Sequence, residues 1–90
     1  MKFFDATMDK TIFSHAGKVL CTLLRDTRTE LGLRQQDLAD RLGEPQSFVS
    51  KFESGERRLD VIELYQICFA LGVPFSTFIE KFEKNLHESR

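Results

Sequence analysis

A chain of 90 residues is long enough for one domain with a modest hydrophobic core. Apolar residues make up 41% of it and charged residues 30%, which is typical of a globular protein. The formal net charge of −1 argues against a nucleic-acid binder that relies only on overall positive charge, but it is compatible with a local basic patch. No apolar run is as long as a membrane span, and Asp5 and Asp9 interrupt the segment where a signal peptide needs an apolar core. A cytoplasmic location is therefore expected.

Residue types that often carry out chemistry are few and scattered. Cys21 and Cys68 form no Cys-x-x-Cys pair, so we expect two reduced core thiols, with a disulfide as the less favoured alternative. His15 and His87 have no partners at metal-ligand spacing and are expected at the surface. The sequence has no phosphate-binding glycine loop, catalytic carboxylate pair or metal cluster. We therefore predict neither an enzyme nor a cofactor, and no small-molecule ligand is indicated.

The N-terminal third predicts an arm followed by one helix. Residues 1–13 have no sustained hydrophobic period and are expected to be partly ordered, whereas residues 14–88 form the folded domain. Ser14 is predicted to cap the first helix, and Gly32 is predicted to end it. The positions that recur at three- and four-residue steps, and so form one helical face, are Leu20, Leu24, Thr27 and Leu31.

Two short helices follow, predicted over residues 35–42 and 46–54. Only Gly43, Glu44 and Pro45 separate them, and Pro45 suits the start of a helix. The apolar positions of the two helices are Leu38, Ala39, Leu42, Val49 and Phe52.

Two more helices complete the predicted fold. Asp60, with Glu63 three residues on, predicts a capped start for the fourth helix, which ends at Gly72. Pro74 precedes the fifth helix. The apolar stripe of that helix consists of Phe75, Phe78, Ile79, Phe82 and Leu86. The sequence therefore predicts an all-α, compact five-helix bundle with short loops.

The second and third predicted helices have the spacing of a helix-turn-helix. Ala39 is a small residue where two helices must cross closely, and Gly43 lies in the turn between them. In this arrangement the N-terminal end of the third helix projects and fits a DNA major groove. The residues predicted to contact bases are Gln46, Ser47, Phe48, Ser50 and Lys51. The alternative is that Gln46 and Ser47 are only polar residues at a helix start.

Residues on both sides of this helix predict contacts to the DNA backbone. Arg34 and Gln35 lie at the start of the second helix, and Arg57 and Arg58 follow the third. Guanidinium and amide groups at such positions reach phosphates. A nearly neutral chain can thus have a basic rim around one helix.

The stretch "LRDTRTELGLRQQDLADRLGEPQSFVSKFESGERRLD" resembles the lambda-repressor-like, Cro/C1-type helix-turn-helix domain of the XRE family. The resemblance covers about residues 17–82, and it rests on the co-occurrence of many positions, none of which is specific alone. These positions are Arg28, Leu31, Gly32, Leu33, Gln35, Leu38, Ala39, Leu42, Gly43, Gln46, Val49, Ser50, Phe52, Glu53, Gly55, Leu71, Gly72 and Val73.

The resemblance implies a five-helix fold in which the third helix is the recognition helix. It also implies a structural ion pair between Arg28 on the first helix and Glu53 at the end of the third. Glu44 departs from the family pattern, which usually has an apolar residue there, and Pro45 follows it. A rearranged turn is therefore one expectation.

The fourth predicted helix is apolar around most of its circumference, which exceeds the single stripe that a small core requires. This surplus predicts a homodimer interface on the fourth and fifth helices. Its predicted residues are Ile62, Tyr65, Phe69, Phe75, Phe78 and Phe82. The alternative is that the apolar residues of the N-terminal arm cover this surface, namely Phe3, Phe4, Ile12 and Phe13.

Together these features predict a homodimeric, sequence-specific DNA-binding regulator of transcription that binds a palindromic operator, with repression favoured. Its partner is double-stranded DNA. The alternative function is a protein-interaction module, or an antitoxin-like adaptor, that uses the apolar face of the fourth and fifth helices.

Overall fold

The computed structural model describes residues 10–88, with side chains from Ser14 onward. It contains five helices, which are α1 (Lys10–Glu30), α2 (Gln35–Leu42), α3 (Gln46–Ser54), α4 (Val61–Leu71) and α5 (Phe75–Glu88). No strand occurs in residues 10–88. The predicted all-α, five-helix fold is confirmed, and the bounds of α2 and α3 are those that the sequence indicated.

The start of α1 differs from the sequence-based prediction. The helix begins at Lys10, so Ser14 lies inside it and the predicted N-cap is wrong. No Pro or Gly interrupts residues 10–14, so nothing there stops the helix from extending toward its N-terminus. Residues 10–13 of the predicted arm are helical, and the first nine residues lie outside the described range.

The buried face of α1 is also shorter than the sequence predicted. Leu31 lies in the turn beyond α1 and is 49% exposed, so the buried face does not extend to it. Thr27 is half-buried, and its hydroxyl donates to the carbonyl of Leu23 at 2.7 Å. This local hydrogen bond satisfies a polar group at the edge of the core.

The core forms where all five helices meet. Ala39 of α2 and Val49 of α3 are both 0% exposed, which fits the expectation that a small residue lets these two helices pack closely. The buried apolar residues are Leu23, Leu24, Leu38, Ala39, Val49, Phe52, Leu64, Ile67, Cys68, Leu71 and Phe78.

Helix α4 begins with the predicted capping box. The Glu63 amide donates to Oδ1 of Asp60 at 2.7 Å, and the Asp60 amide donates to Oε1 of Glu63 at 3.0 Å. Pro74 precedes α5, and the axes of α4 and α5 differ by 110°. Within residues 10–88 no single helix is long and apolar enough to cross a membrane, and only α4 and α5 taken together across this bend reach that length and composition.

Both cysteines are free thiols. Cys68 is buried in the core, and desolvation raises its pKa to about 11. Cys21 is half-buried, and its Sγ donates to the carbonyl of Phe52 at 3.2 Å. Burial is also the main reason that the pKa of Cys21 is raised, so neither thiol is activated toward reaction.

The turn between α2 and α3 depends on a left-handed residue. Gly43 has a φ of 68°, and the amide of Glu44 donates to the Ala39 carbonyl at 3.0 Å. A side chain at this φ is strained. The tight link therefore requires glycine at this position.

We expect Gly43→Ala to lower the free energy of unfolding by about 1–2 kcal/mol, because alanine is strained in the left-handed region. Gly17→Ala is the matched control, since Gly17 lies inside α1 and a Cβ added there would meet open space. Alanine there should stabilise the helix by about 0.5–1 kcal/mol. Urea unfolding of the three proteins measures both values. Stabilisation by both substitutions would contradict the role given to Gly43.

Candidate nucleic-acid interface

Helix α3 has one face in the core and the opposite face in solvent. Val49 is 0% and Phe52 is 1% exposed. Residues 46, 47, 50 and 51 share an arc on the other side, since successive residues of an α-helix are ~100° apart. Gln46, Ser47 and Lys51 are exposed, and Ser50 is half-buried. Four of the five residues predicted for base contact therefore lie together on the outer face of one helix.

A buried ion pair attaches α3 to α1. Arg28 Nε donates to Oε2 of Glu53 at 2.6 Å, and Nη2 donates to Oε1 at 2.9 Å. The two side chains are 9% and 4% exposed, respectively. Arg28 Nη1 also donates to the carbonyl of Leu33 at 2.7 Å, and the bonds to Glu53 raise the pKa of the guanidinium. The structure thus brings together the two residues that were expected to pair.

A chain of hydrogen bonds continues from this ion pair to the first residue of α3. Gln35 Nε2 donates to Oε1 of Glu53 at 2.9 Å. Gln46 Nε2 then donates to Oε1 of Gln35 at 2.5 Å. Gln35 is half-buried, whereas Gln46 is exposed. The orientation of the Gln46 amide is therefore linked to a carboxylate in the protein interior, an arrangement that sequence spacing did not reveal.

Arg34, a predicted phosphate contact, is held by a carboxylate at the start of α2. Its Nη2 donates to Oδ1 of Asp37 at 2.8 Å, and its Nε and backbone amide donate to Oδ2 at 3.1 and 2.8 Å. These bonds lower the pKa of Asp37 to about 2, so the pair stays ionised through neutral and mildly acidic pH. The sequence signal for this pair is the three-residue spacing on a helix.

Phe48 and Arg57, which were predicted to contact a base and a phosphate, contact each other in the structure. The ring of Phe48 is half-buried and meets the ring of Phe52 edge-to-face, with 5.6 Å between centroids. The guanidinium of Arg57 lies 4.9 Å from the centroid of the Phe48 ring and forms an ion pair with Glu63. Phe48 therefore lies at the edge of the exposed arc of α3 and packs against the core beside Phe52. Arg57 is folded back against the protein, and Arg58 is exposed.

The turn itself keeps the expected length despite its unusual residues. Glu44 is exposed, and α3 starts at Gln46 after Pro45. The Phe48 amide donates to the Pro45 carbonyl at 2.9 Å, so the first turn of α3 forms directly after the proline. Pro45 offers no side-chain cap. In residues 14–88 no group of three or more potential ligand side chains is arranged to hold a metal ion.

This geometry matches a known family. The family model described as helix-turn-helix matches residues 24–78. The chain belongs to the XRE-type helix-turn-helix family. Among solved structures, an XRE-family like protein from Pseudomonas syringae pv. tomato is 45% identical and aligns with a TM-score of 0.79 over 83% of this chain and 92% of that one.

Two further relatives have names that refer to regulation. The helix-turn-helix chain is 38% identical over 61 residues to an uncharacterized transcriptional regulator in the ATPase CF(0) region of Rhodospirillum rubrum. The aligned residues make up 68% of this chain and 56% of that protein. The restriction-modification controller protein C.Esp1396I, solved as a tetramer in complex with its natural 35 base-pair operator, is 25% identical. Its TM-score is 0.74, over 79% of this chain and 93% of that one. These two relatives are named as a transcriptional regulator and a controller protein, and this chain spans little more than half the length of the first.

This helix-turn-helix chain also has an exposed apolar stripe on α4. Ile62, Tyr65 and Phe69, which were predicted for a dimer interface, are 67%, 54% and 78% exposed, and Val61, which was not, is 66% exposed. The ring of Phe75 is half-buried and meets that of Tyr65 edge-to-face, with 5.6 Å between centroids.

Two predicted interface residues on α5 are directed instead toward the core. Phe78 is 4% exposed, so it has no free surface for a partner and is removed from the predicted set. Phe82 is half-buried and packs on the same core. The amphipathic stripe of α5 is used within the monomer, where α5 packs against α1 and α4. The apolar surplus therefore lies on α4.

Removing the Arg28 side chain should destabilise this helix-turn-helix more than removing Arg34. Arg28→Ala leaves the buried Glu53 carboxylate without its main partner, and we expect a loss of about 3–5 kcal/mol in the free energy of unfolding. Arg34→Ala breaks an exposed pair that water screens, so its cost should be much smaller. Denaturant unfolding of both variants gives the comparison. Equal losses would show that the Arg28–Glu53 pair acts as a surface pair.

Proposed function

We propose that this chain is a sequence-specific DNA-binding regulator of transcription, which reads a palindromic operator as a homodimer and represses by occupying it. The observation that supports this most directly is the outer face of α3. Gln46, Ser47 and Lys51 are exposed there, while the opposite face anchors the helix in the core. A major groove accommodates one helix presenting such a face.

The groups on this face have the chemistry of base recognition. A glutamine amide can donate to and accept from adenine, and a lysine ammonium can reach the acceptors of guanine. The bond from Gln46 to Gln35 limits the orientations of the Gln46 amide before DNA arrives. Restricting a contact group in advance lowers the entropy lost on binding. The Lys51 side chain has no ion-pair or hydrogen-bond partner in the described part of the chain, so its charge is available.

Residues beside α3 supply the contacts to the sugar-phosphate backbone in this proposal. Arg34 and Gln35 lie at the start of α2, and Arg57 and Arg58 follow α3, so these candidate phosphate contacts flank the helix-turn-helix in the chain. The controller protein that was solved in complex with its operator has a similar fold, which supports DNA binding by this fold in general.

The apolar stripe of α4 supports a dimer. Val61, Ile62, Tyr65 and Phe69 are each more than half exposed, and large aromatic side chains bury about 150–250 Å² when covered. Two copies related by a twofold axis would place two recognition helices ~34 Å apart, one DNA turn, and so match a palindrome. The same stripe also favours the second candidate, a protein-interaction module in which a different protein covers α4.

Selection of bound duplexes from a random pool tests base readout. The unaltered chain should enrich a palindrome, and Gln46→Ala should lose about 1–3 kcal/mol of preference at one base position in each half-site. Gln36→Ala is the matched control, because Gln36 is an exposed glutamine on α2 that bonds to Asp40. No enriched sequence, or an equal effect of both substitutions, would contradict the proposed readout.

Sedimentation at micromolar concentration tests the dimer. Phe69→Glu should give a monomer, since a charge in an apolar contact is not compensated there. Leu31→Glu is the control, because Leu31 is an exposed apolar residue outside α4, and it should leave the dimer intact. If the unaltered chain is monomeric, the homodimer is wrong. If it is monomeric, binds no DNA and forms a defined complex through Phe69 with another protein, the interaction module is supported.

A further inference from the structure

The arginines directly before α2 and shortly after α3, Arg34 and Arg57, are each held by a carboxylate in the same kind of position. Asp37 is the third residue of α2, and Glu63 is the third residue of α4. Each carboxylate accepts from a backbone amide at the start of its own helix, Arg34 for Asp37 and Asp60 for Glu63. Each also forms an ion pair with an arginine, Arg34 and Arg57 respectively.

We infer that Asp37 and Glu63 are affinity-setting residues of the DNA interface: each restrains an arginine that must exchange its intramolecular carboxylate for a DNA phosphate. This inference rests on the proposed DNA-binding function. In addition to capping their helices, these two acidic residues would therefore set how strongly the chain binds DNA.

The first argument is that both guanidinium groups already donate hydrogen bonds to carboxylates of this chain. Arg34 presents both Nε and Nη2 to Asp37, which is the edge that a guanidinium offers to a phosphate in a two-bond contact. Arg57 uses Nη2 for Glu63 and lays its plane near the ring of Phe48. A full contact with phosphate therefore requires at least part of each pair to open.

The second argument is that the carboxylates cannot easily move away. One oxygen of Glu63 accepts from the Asp60 amide, and Oδ2 of Asp37 accepts from the Arg34 amide. These bonds fix both groups at helix starts, so each carboxylate remains beside the arginine after exchange. A negative charge at that distance repels the incoming phosphate.

The third argument is the charge of the surface as a whole. Within each of these two pairs the positive and negative charges cancel. Both pairs are accessible to solvent: the side chains of Arg34 and Asp37 are 78% and 31% exposed, and those of Arg57 and Glu63 are 43% and 26% exposed. Binding to DNA of any sequence depends mainly on phosphate neutralisation. Because these arginines are paired with carboxylates, the sequence-independent binding to phosphates is weaker than the number of arginines and lysines in the sequence would indicate.

Three substitutions that each remove one negative charge test the inference. Glu63→Gln and Asp37→Asn keep an oxygen that can accept the capping amide but remove the ion pair. Glu80→Gln is the control, because Glu80 is exposed on α5 and has no ion pair in the described structure. We expect Glu63→Gln and Asp37→Asn to bind the selected duplex about two- to fivefold more tightly, and Glu80→Gln to bind it as the unaltered chain does.

The salt dependence of binding separates this from a general charge effect. For Glu63→Gln and Asp37→Asn the slope of log affinity against log salt should become steeper by up to about one, as expected for one more neutralised phosphate. Thermal melting and sedimentation confirm that each variant keeps the fold and oligomeric state of the unaltered chain.

A double-mutant cycle with Arg57→Gln shows whether Glu63 acts through Arg57. In the Arg57→Gln background, Glu63→Gln should lose most of its effect on affinity. Unchanged or weaker binding by Glu63→Gln and Asp37→Asn, or an equal gain from Glu80→Gln, would overturn the inference while leaving the proposed function in place. If the unaltered chain binds no duplex, the proposed function fails and this inference fails with it.

Discussion

The ion pair between Arg28 and Glu53 is the interaction on which the arrangement of the first three helices depends. A carboxylate that is 4% exposed is strongly destabilising unless hydrogen-bond donors surround it. Glu53 meets this requirement with two bonds from Arg28 and one from Gln35. These donors come from α1 and α2, while Glu53 belongs to α3, so satisfying one charge fixes three helices relative to one another. The same donor, Arg28, also bonds to the Leu33 carbonyl and so holds the link between α1 and α2.

The start of the outer face of α3 is also linked to this ion pair. Because Gln35 bonds both to Glu53 and to Gln46, the first residue of α3 is connected to the buried ion pair through a single side chain. The arginines beside the helix are restrained differently, by carboxylates that also cap α2 and α4. The proposed interface therefore combines a base-reading group that is held in place with phosphate-reading groups whose charge is compensated until DNA competes for it.

The two C-terminal helices divide their apolar residues unequally. α5 directs Phe78 into the core and leaves Phe75 and Phe82 half-buried, whereas α4 keeps four large apolar residues exposed along one side. An exposed stripe of this kind is unusual for a monomer and typical of an interface. Glu63, which forms an ion pair with Arg57 beyond the end of α3, follows Ile62 of this stripe on α4. In the proposed function, the carboxylate that restrains Arg57 and the stripe for the dimer are therefore adjacent on the same helix.

Local patterns in the sequence were sufficient for the helices, the glycine-ended turns, the capping box at Asp60 and the core positions of α2 and α3, because these depend on residues at most four positions apart. The resemblance added the pairing of Arg28 with Glu53. Ser14 was misassigned because a capping residue is recognisable only where the helix stops, and α1 continues to Lys10. The burial of Phe78, the position of Phe48 beneath Arg57, and the bonds from Gln35 to Glu53 and Gln46 were decided only by tertiary structure. Each depends on how one helix is rotated against another, and an amphipathic period specifies which face is apolar but not which neighbour meets its edges.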